Sequence, residues 1–243
     1  MSTATHDRVS WQPTRLSVAG GGTFPVRNVW CVGRNYAEHA REMGVDPERS
    51  SPVFFAKPAQ AVVQADQITY PKNTRDLHHE VELVVFLRAG GRDLAPHQAQ
   101  RSVFGFAVGV DLTRRDAQTR AKQAGQPWEM SKGFDQSAPV GTLVSAADWQ
   151  PESDSGIRLA VDGRQQQNAR LGDMLWSVSE LLSQLSKTVT LGAGDAVFTG
   201  TPAGVSALVP GQEVRASISG LPDLVFTVST PSASGTSGDC YSP

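Results

Sequence analysis

Short apolar runs recur along the chain, and their period changes from one segment to the next. "VRNVWCVG", "SPVFFAKP", "DLHHEVELVVFL", "SVFGFAVGVDLT" and "AVFTGTPAGV" are rich in β-branched and aromatic residues and predict strands. "AVVQADQITYP" and "APVGTLVS" predict shorter ones, and "IRLAVDGRQQQ" predicts a hairpin turning at Asp162-Gly163. Three segments have helical spacing. "NYAEHAREMG" is a short amphipathic helix with Gly44 at C′. "RRDAQTRAKQAGQP" follows Thr113, which with Asp116 resembles a capping box, and Gly125 then Pro127 stop it. "LGDMLWSVSELLSQLSK" places Met174, Leu175, Val178, Leu181, Leu182 and Leu185 on one face. Many short strands with two or three helices, and no regular βαβ alternation, predict a β-rich α+β fold. The expected divisions are an N-terminal arm or short strands over 1–26, one body over 27–228, and a flexible tail over 229–243, where "STPSASGTSGDCYSP" has little apolar content.

Composition narrows the function classes. A chain of 243 residues with net charge −2 has no field suited to nucleic acid or an anionic membrane. No apolar run approaches the roughly 20 residues of a membrane span, and "MSTATHDRVSWQP" lacks a signal-peptide layout. A cytoplasmic location is expected. Two cysteines, Cys31 and Cys240, support neither a disulfide framework nor a zinc cluster. Cys31 reads as a small buried hydrophobe.

The chemistry starts in "DLHHEVELVVFL". Successive strand side chains face opposite ways, so His78, Glu80 and Glu82 share one face and His79, Val81 and Leu83 the other. Two carboxylates about 7 Å apart repel by about 2.4 kcal/mol at an effective dielectric near 20. A wet sheet face tolerates that, whereas a buried pair requires a cation. The strand alone favours the wet face. The alternative is a hard-cation site completed by Asp111, which ends the apolar run "FGFAVGVD". His39 and Glu42 stand three apart on a helix, the spacing of a base and the carboxylate that orients it, or of two charges on a solvated face. Arg115, Gln118 and Lys122 share another helix face, with Lys132 beyond it and Lys57 closing "PVFFAKP".

Taken together, "CVGRNYAEHAREMG", "PVFFAKP", "LHHEVELVV", "GVDLTRRDAQ", "PWEMSKGFDQSAPVG" and "FTGTPAGV" resemble the fumarylacetoacetate hydrolase family, in the family's order over roughly 28–228. Within it the chain is similar to short acylpyruvate hydrolases, above all bacterial fumarylpyruvate hydrolases of gentisate breakdown. The resemblance implies a mixed β-sandwich roll with a few short helices, usually a homodimer, with 27–228 as the catalytic domain. It implies Glu80, Glu82 and Asp111 as metal carboxylates, His39 and Glu42 as a catalytic dyad on a lid helix, and Lys132 as a catalytic lysine. Arg34, Lys57, Arg115, Gln118 and Thr201 would bind substrate. The cofactor would be Mg²⁺ or Mn²⁺, with Ca²⁺ possible in a crystal, and the reaction hydrolysis of a 2,4-dioxo acid. The same site could decarboxylate oxaloacetate, or serve an isomerase or decarboxylase of aromatic-acid breakdown. A non-catalytic calcium-binding β protein is the alternative of another class.

Overall fold

The computed structural model describes residues 11–44 and 51–231. Two sheets carry the chain. The first has six strands in the order Val144–Ser145, Val103–Val110, Val81–Leu87, Ala196–Phe198, Val29–Gly33, Val53–Lys57. Its pairings are antiparallel except that Ala196–Phe198 runs parallel to Val29–Gly33. The second has five strands in the order Arg164–Arg170, Gly156–Val161, Glu213–Ile218, Leu224–Ser229, Gln67–Thr69. Asp162 and Gly163 both take positive φ, at 49° and 74°, and join its outer pair as a two-residue turn of the kind that suits strand twist.

Every residue of Val81–Leu87 is buried, because both faces of the strand are covered. Val81, Leu83, Val85 and Leu87 belong to the core shared with the second sheet, beside Ile157, Leu159, Val214 and Phe226. Val84 and Phe86 face the other way, into a core with Leu16, Phe24, Val26, Val140 and Leu143. Part of that cover comes from the N-terminal hairpin of Arg15–Ser17 and Thr23–Pro25. The wet face that the strand favours in isolation therefore does not exist: Glu80 and Glu82 are 5% and 1% exposed.

The described residues include five α-helices: Ala37–Glu42, Pro96–Arg101, Arg115–Gln123, Glu129–Lys132 and Val178–Thr188. Two sequence expectations are corrected. Thr113 does not cap the Arg115–Gln123 helix, since its hydroxyl bonds Glu80 Oε1 at 3.2 Å, and Asp116 accepts instead from Thr74 Oγ1 and the Ala117 N–H. The long helix over 171–187 is broken: Leu171–Asp173 is a 3₁₀ turn, and the α-helix starts only after Ser177. There Ser177 and Glu180 form the capping box, which overrides the apolar spacing of Met174 and Leu175. The Pro96–Arg101 helix, too short for a periodic signal, was not anticipated. Gly44 and Gly125, at φ 72° and 62°, end their helices as read. Cys31 is fully buried, whereas Cys240 and most of the expected tail lie outside the described residues.

Candidate active site

Strand register creates the acidic cluster. Val81 pairs with Val110 and Glu82 with Gly109. One step further the Asp111 N–H donates to Glu80 O at 2.8 Å, so the two strand ends deliver Glu80 and Asp111 side by side. One oxygen from each of Glu80, Glu82 and Asp111 lies within 4.8 Å of the others, and all three residues are buried. His78 stays outside this group, with Nε2 2.8 Å from Asp76 Oδ1.

Cations cover the cluster unevenly. Lys132 Nζ donates to Glu80 Oε2 at 2.8 Å and to Asp111 Oδ2 at 2.7 Å, and Arg115 bonds Glu80 Oε1. Burial alone would raise the Glu80 carboxyl, but Lys132 and Arg115 together hold it well below the usual range. Burial likewise opposes charge on Lys132, and Asp111 with Glu80 more than reverses this, so the ammonium holds its proton more tightly than usual. Lys57 lies 2.8 Å from Asp111 Oδ1, yet its N–H groups go to the carbonyls of Leu112, Lys132 and Ser137. Oδ1 is thus close to a positive charge while accepting no hydrogen bond. Among the described residues Glu82 accepts from the Gly200 N–H alone, at 2.6 Å, and burial plus the facing Asp111 and Glu80 push its carboxyl well above the usual range. An orphaned buried oxygen beside an uncompensated buried carboxylate, in an all-oxygen donor set, fits a hard divalent cation.

Opposite the cluster, the Ala37–Glu42 helix presents the second acid–base group. His39 Nδ1 is 3.1 Å from Glu42 Oε2. The Gly204 N–H approaches both Glu42 oxygens, at 3.2 and 3.3 Å, and holds the carboxylate from the far side. Arg34 precedes this helix with φ 65°, a left-handed conformation uncommon for a side-chain-bearing residue. Asn35 anchors the same turn by donating to the carbonyls of Trp176 and Thr199 and accepting from the Trp176 N–H.

A cleft with about 440 Å³ of empty space, its open mouth included, brings these groups together. His39, Glu80, Glu82, Arg34, Arg115, Gln118, Lys132 and Thr201 all line it. Asp111 and Glu42 are not on its wall but contact wall residues, Asp111 through Lys132 and Glu42 through His39. Lys57 departs from its expected place, since it sits beneath Asp111 and not on the cleft wall. Five wall residues were not anticipated for this site: Val32, Gly33, Met43, Phe55 and Trp128. Trp128 stacks obliquely on Phe55 at 5.9 Å and carries the Lys122 ammonium 5.2 Å from its ring centre. In "PWEMSK" Trp128 stands directly before Glu129, in a segment with no periodic signal.

Comparison with known proteins fits this architecture. The family described as fumarylacetoacetate (FAA) hydrolase C-terminal matches residues 28–229. The chain is 45% identical to a fumarylpyruvate hydrolase of Pseudomonas aeruginosa whose crystal structure holds Mn²⁺ and pyruvate, with a TM-score of 0.90 over 93% of this chain and 100% of that one. It is also 40% identical to an oxaloacetate tautomerase of Escherichia coli, over 87% of this chain and 94% of the relative. A human mitochondrial oxaloacetate tautomerase is 37% identical over 84% of this chain and 93% of its own length.

Proposed function

The chain belongs to the fumarylacetoacetate hydrolase family, and we propose that it is a metal-dependent hydrolase that splits fumarylpyruvate into fumarate and pyruvate. The observation that carries this reading is the His39–Glu42 pair on the same cleft as the Glu80, Glu82 and Asp111 cluster. A divalent cation, Mg²⁺ or Mn²⁺, held by those three carboxylates would supply a Lewis acid for negative charge developing on the pyruvate half.

The chain's own residues supply the rest. Glu42 faces His39 Nδ1 and favours a proton there, so Nε2 is the nitrogen that takes a proton from water. The hydroxide adds to the distal carbonyl carbon. The C–C bond then breaks, its electron pair passes to the pyruvate half as an enolate, and protonation at carbon completes pyruvate. One water is consumed, and its oxygen ends in the new carboxylate of fumarate. Lys132 spends two N–H groups on Glu80 and Asp111, which leaves the third for a developing oxyanion. Arg115 occupies Gln118 Oε1 at 2.6 Å, so the Gln118 amide N–H groups are left for substrate. Arg34 and Lys122 add positive charge to the wall, which suits the second carboxylate of a fumaryl group.

Oxaloacetate tautomerisation is the second reading, supported by the Escherichia coli and human relatives. It requires proton transfer by His39 and no addition of water. The two readings separate in one assay, with fumarylpyruvate or oxaloacetate supplied with Mn²⁺ or with EDTA. Metal-dependent release of pyruvate and fumarate supports the hydrolase. Rapid keto–enol conversion of oxaloacetate with fumarylpyruvate left intact would transfer the function to the tautomerase.

A further inference from the structure

The loop that carries Thr201 touches both halves of the site. Its Gly200 N–H bonds Glu82, and its Gly204 N–H bonds Glu42. The loop is seated on the second sheet by one side chain, Gln167, which is fully buried in the Arg164–Arg170 strand. Gln167 Oε1 accepts from the Val81 N–H at 3.1 Å, and Nε2 donates to the Pro202 carbonyl at 2.8 Å. These two backbone partners fix which end of the amide is which. Gln167 Nε2 therefore donates to Thr201 Oγ1, also at 2.8 Å, and His79 Nδ1 faces an acceptor at 3.0 Å and carries the proton. His79 Nε2 then accepts from Ser206 Oγ, 2.8 Å away. Every hydrogen bond in the series Ser206, His79, Gln167, Thr201 runs toward the cleft. Gly204 packs so closely on this strand that a Cβ there would lie 2.2 Å from Gln166 O.

The consequence falls on Thr201. Gln167 uses a lone pair of its hydroxyl, and among the described residues no protein group accepts its proton. We propose that Gln167 is a positioning residue that pins this loop and makes Thr201 a hydrogen-bond donor to a substrate oxygen. The proposal rests on reading this cleft as the substrate pocket.

A double-mutant cycle tests it. Gln167→Glu keeps the acceptors for Val81 and His79 but replaces the donor facing Thr201 and the Pro202 carbonyl with an acceptor, so the Thr201 proton turns away from the cleft. Thr201→Val removes the hydroxyl outright. Each is expected to raise KM by about threefold to tenfold with kcat little changed, the worth of one neutral hydrogen bond. The double variant should show a KM no higher than Thr201→Val alone, because the two changes remove one interaction. Effects that multiply, or a Gln167→Glu enzyme with unchanged KM and only a lower melting temperature, would overturn the proposal. If Gln167→Glu does not fold, Gln167→Asn, which withdraws the same amide, enters the cycle with the same two outcomes. The cycle is run on whichever of fumarylpyruvate and oxaloacetate the wild type turns over, so loss of the hydrolase reading leaves the positioning claim testable. A wild type that turned over neither would overturn both.

Discussion

Glu82 is the residue on which the metal assignment turns. Among the described residues no cationic side chain pairs with it in its buried place, whereas Glu80 and Asp111 share Lys132. Its carboxyl holds a proton above the ordinary 4.5, so its destabilising effect on the metal-free fold is absent below that pH and grows as pH rises through the folded value. Glu82→Gln should therefore leave the metal-free protein at least as stable as the wild type, with an advantage that widens toward alkaline pH in thermal melts. The same variant should lose the stabilisation by Mn²⁺. For the wild type that is about 2.7 kcal/mol at a hundredfold excess over Kd, or roughly 5–10 °C in Tm for a chain of this size. A wild-type Tm indifferent to Mn²⁺ would remove the metal from the account. His39→Ala separates the other half of the site. It should bind Mn²⁺ as the wild type does and lose kcat by about 10²–10⁴, whereas full turnover would show that the dyad is not the base.

At the scale of elements, legibility followed the locality of the signal. Most strand runs, the Asp162-Gly163 turn and the helix ends at Gly44 and Gly125 are written within a few residues and match the structure, whereas "DLHHEVELVVFL" is not one strand but divides at His79 and Glu80 into Leu77–His78 and Val81–Leu87, which lie in different sheets. The face of Val81–Leu87 was not read correctly, because alternation says which side chains go together but not what covers them, and here both faces are covered. Thr113 failed as a cap because the buried Glu80 carboxylate, 33 residues away, claims its hydroxyl. Gln167 and His79 meet across 88 residues of sequence, and no local pattern marks such a pair. Ser177, by contrast, was legible and missed, since S-x-x-E stands in "SVSE" and the apolar spacing around it drew the helix too early. Ser177→Ala should cost about 1 kcal/mol and lower Tm by about 2–4 °C, with kcat/KM unchanged because no residue of that helix lines the cleft. A loss of activity larger than the loss of stability would show that the cap reaches the site through Trp176 and its bonds to Asn35.

Across the whole molecule, the site is assembled from pieces that the topology alone brings together. The first sheet supplies Glu82 from a central strand, with Glu80 and Asp111 at the ends of its antiparallel pair. The short helix after Val29–Gly33 supplies His39 and Glu42, and the loop after Ala196–Phe198 bridges the two through Gly200 and Gly204. The second sheet fixes that loop through Gln167. The carboxylates and the dyad could be read from sequence as candidates, but their convergence on one cleft is a property of the sheet order. Their proposed joint task is to add water across a carbon–carbon bond, and isotope labelling observes this directly. A short incubation of the Mn²⁺-loaded enzyme with fumarylpyruvate in ¹⁸O-labelled water should yield pyruvate together with fumarate that carries one labelled oxygen. Recovery of unlabelled fumarate, or of fumarylpyruvate changed only in its keto–enol ratio, would contradict the account.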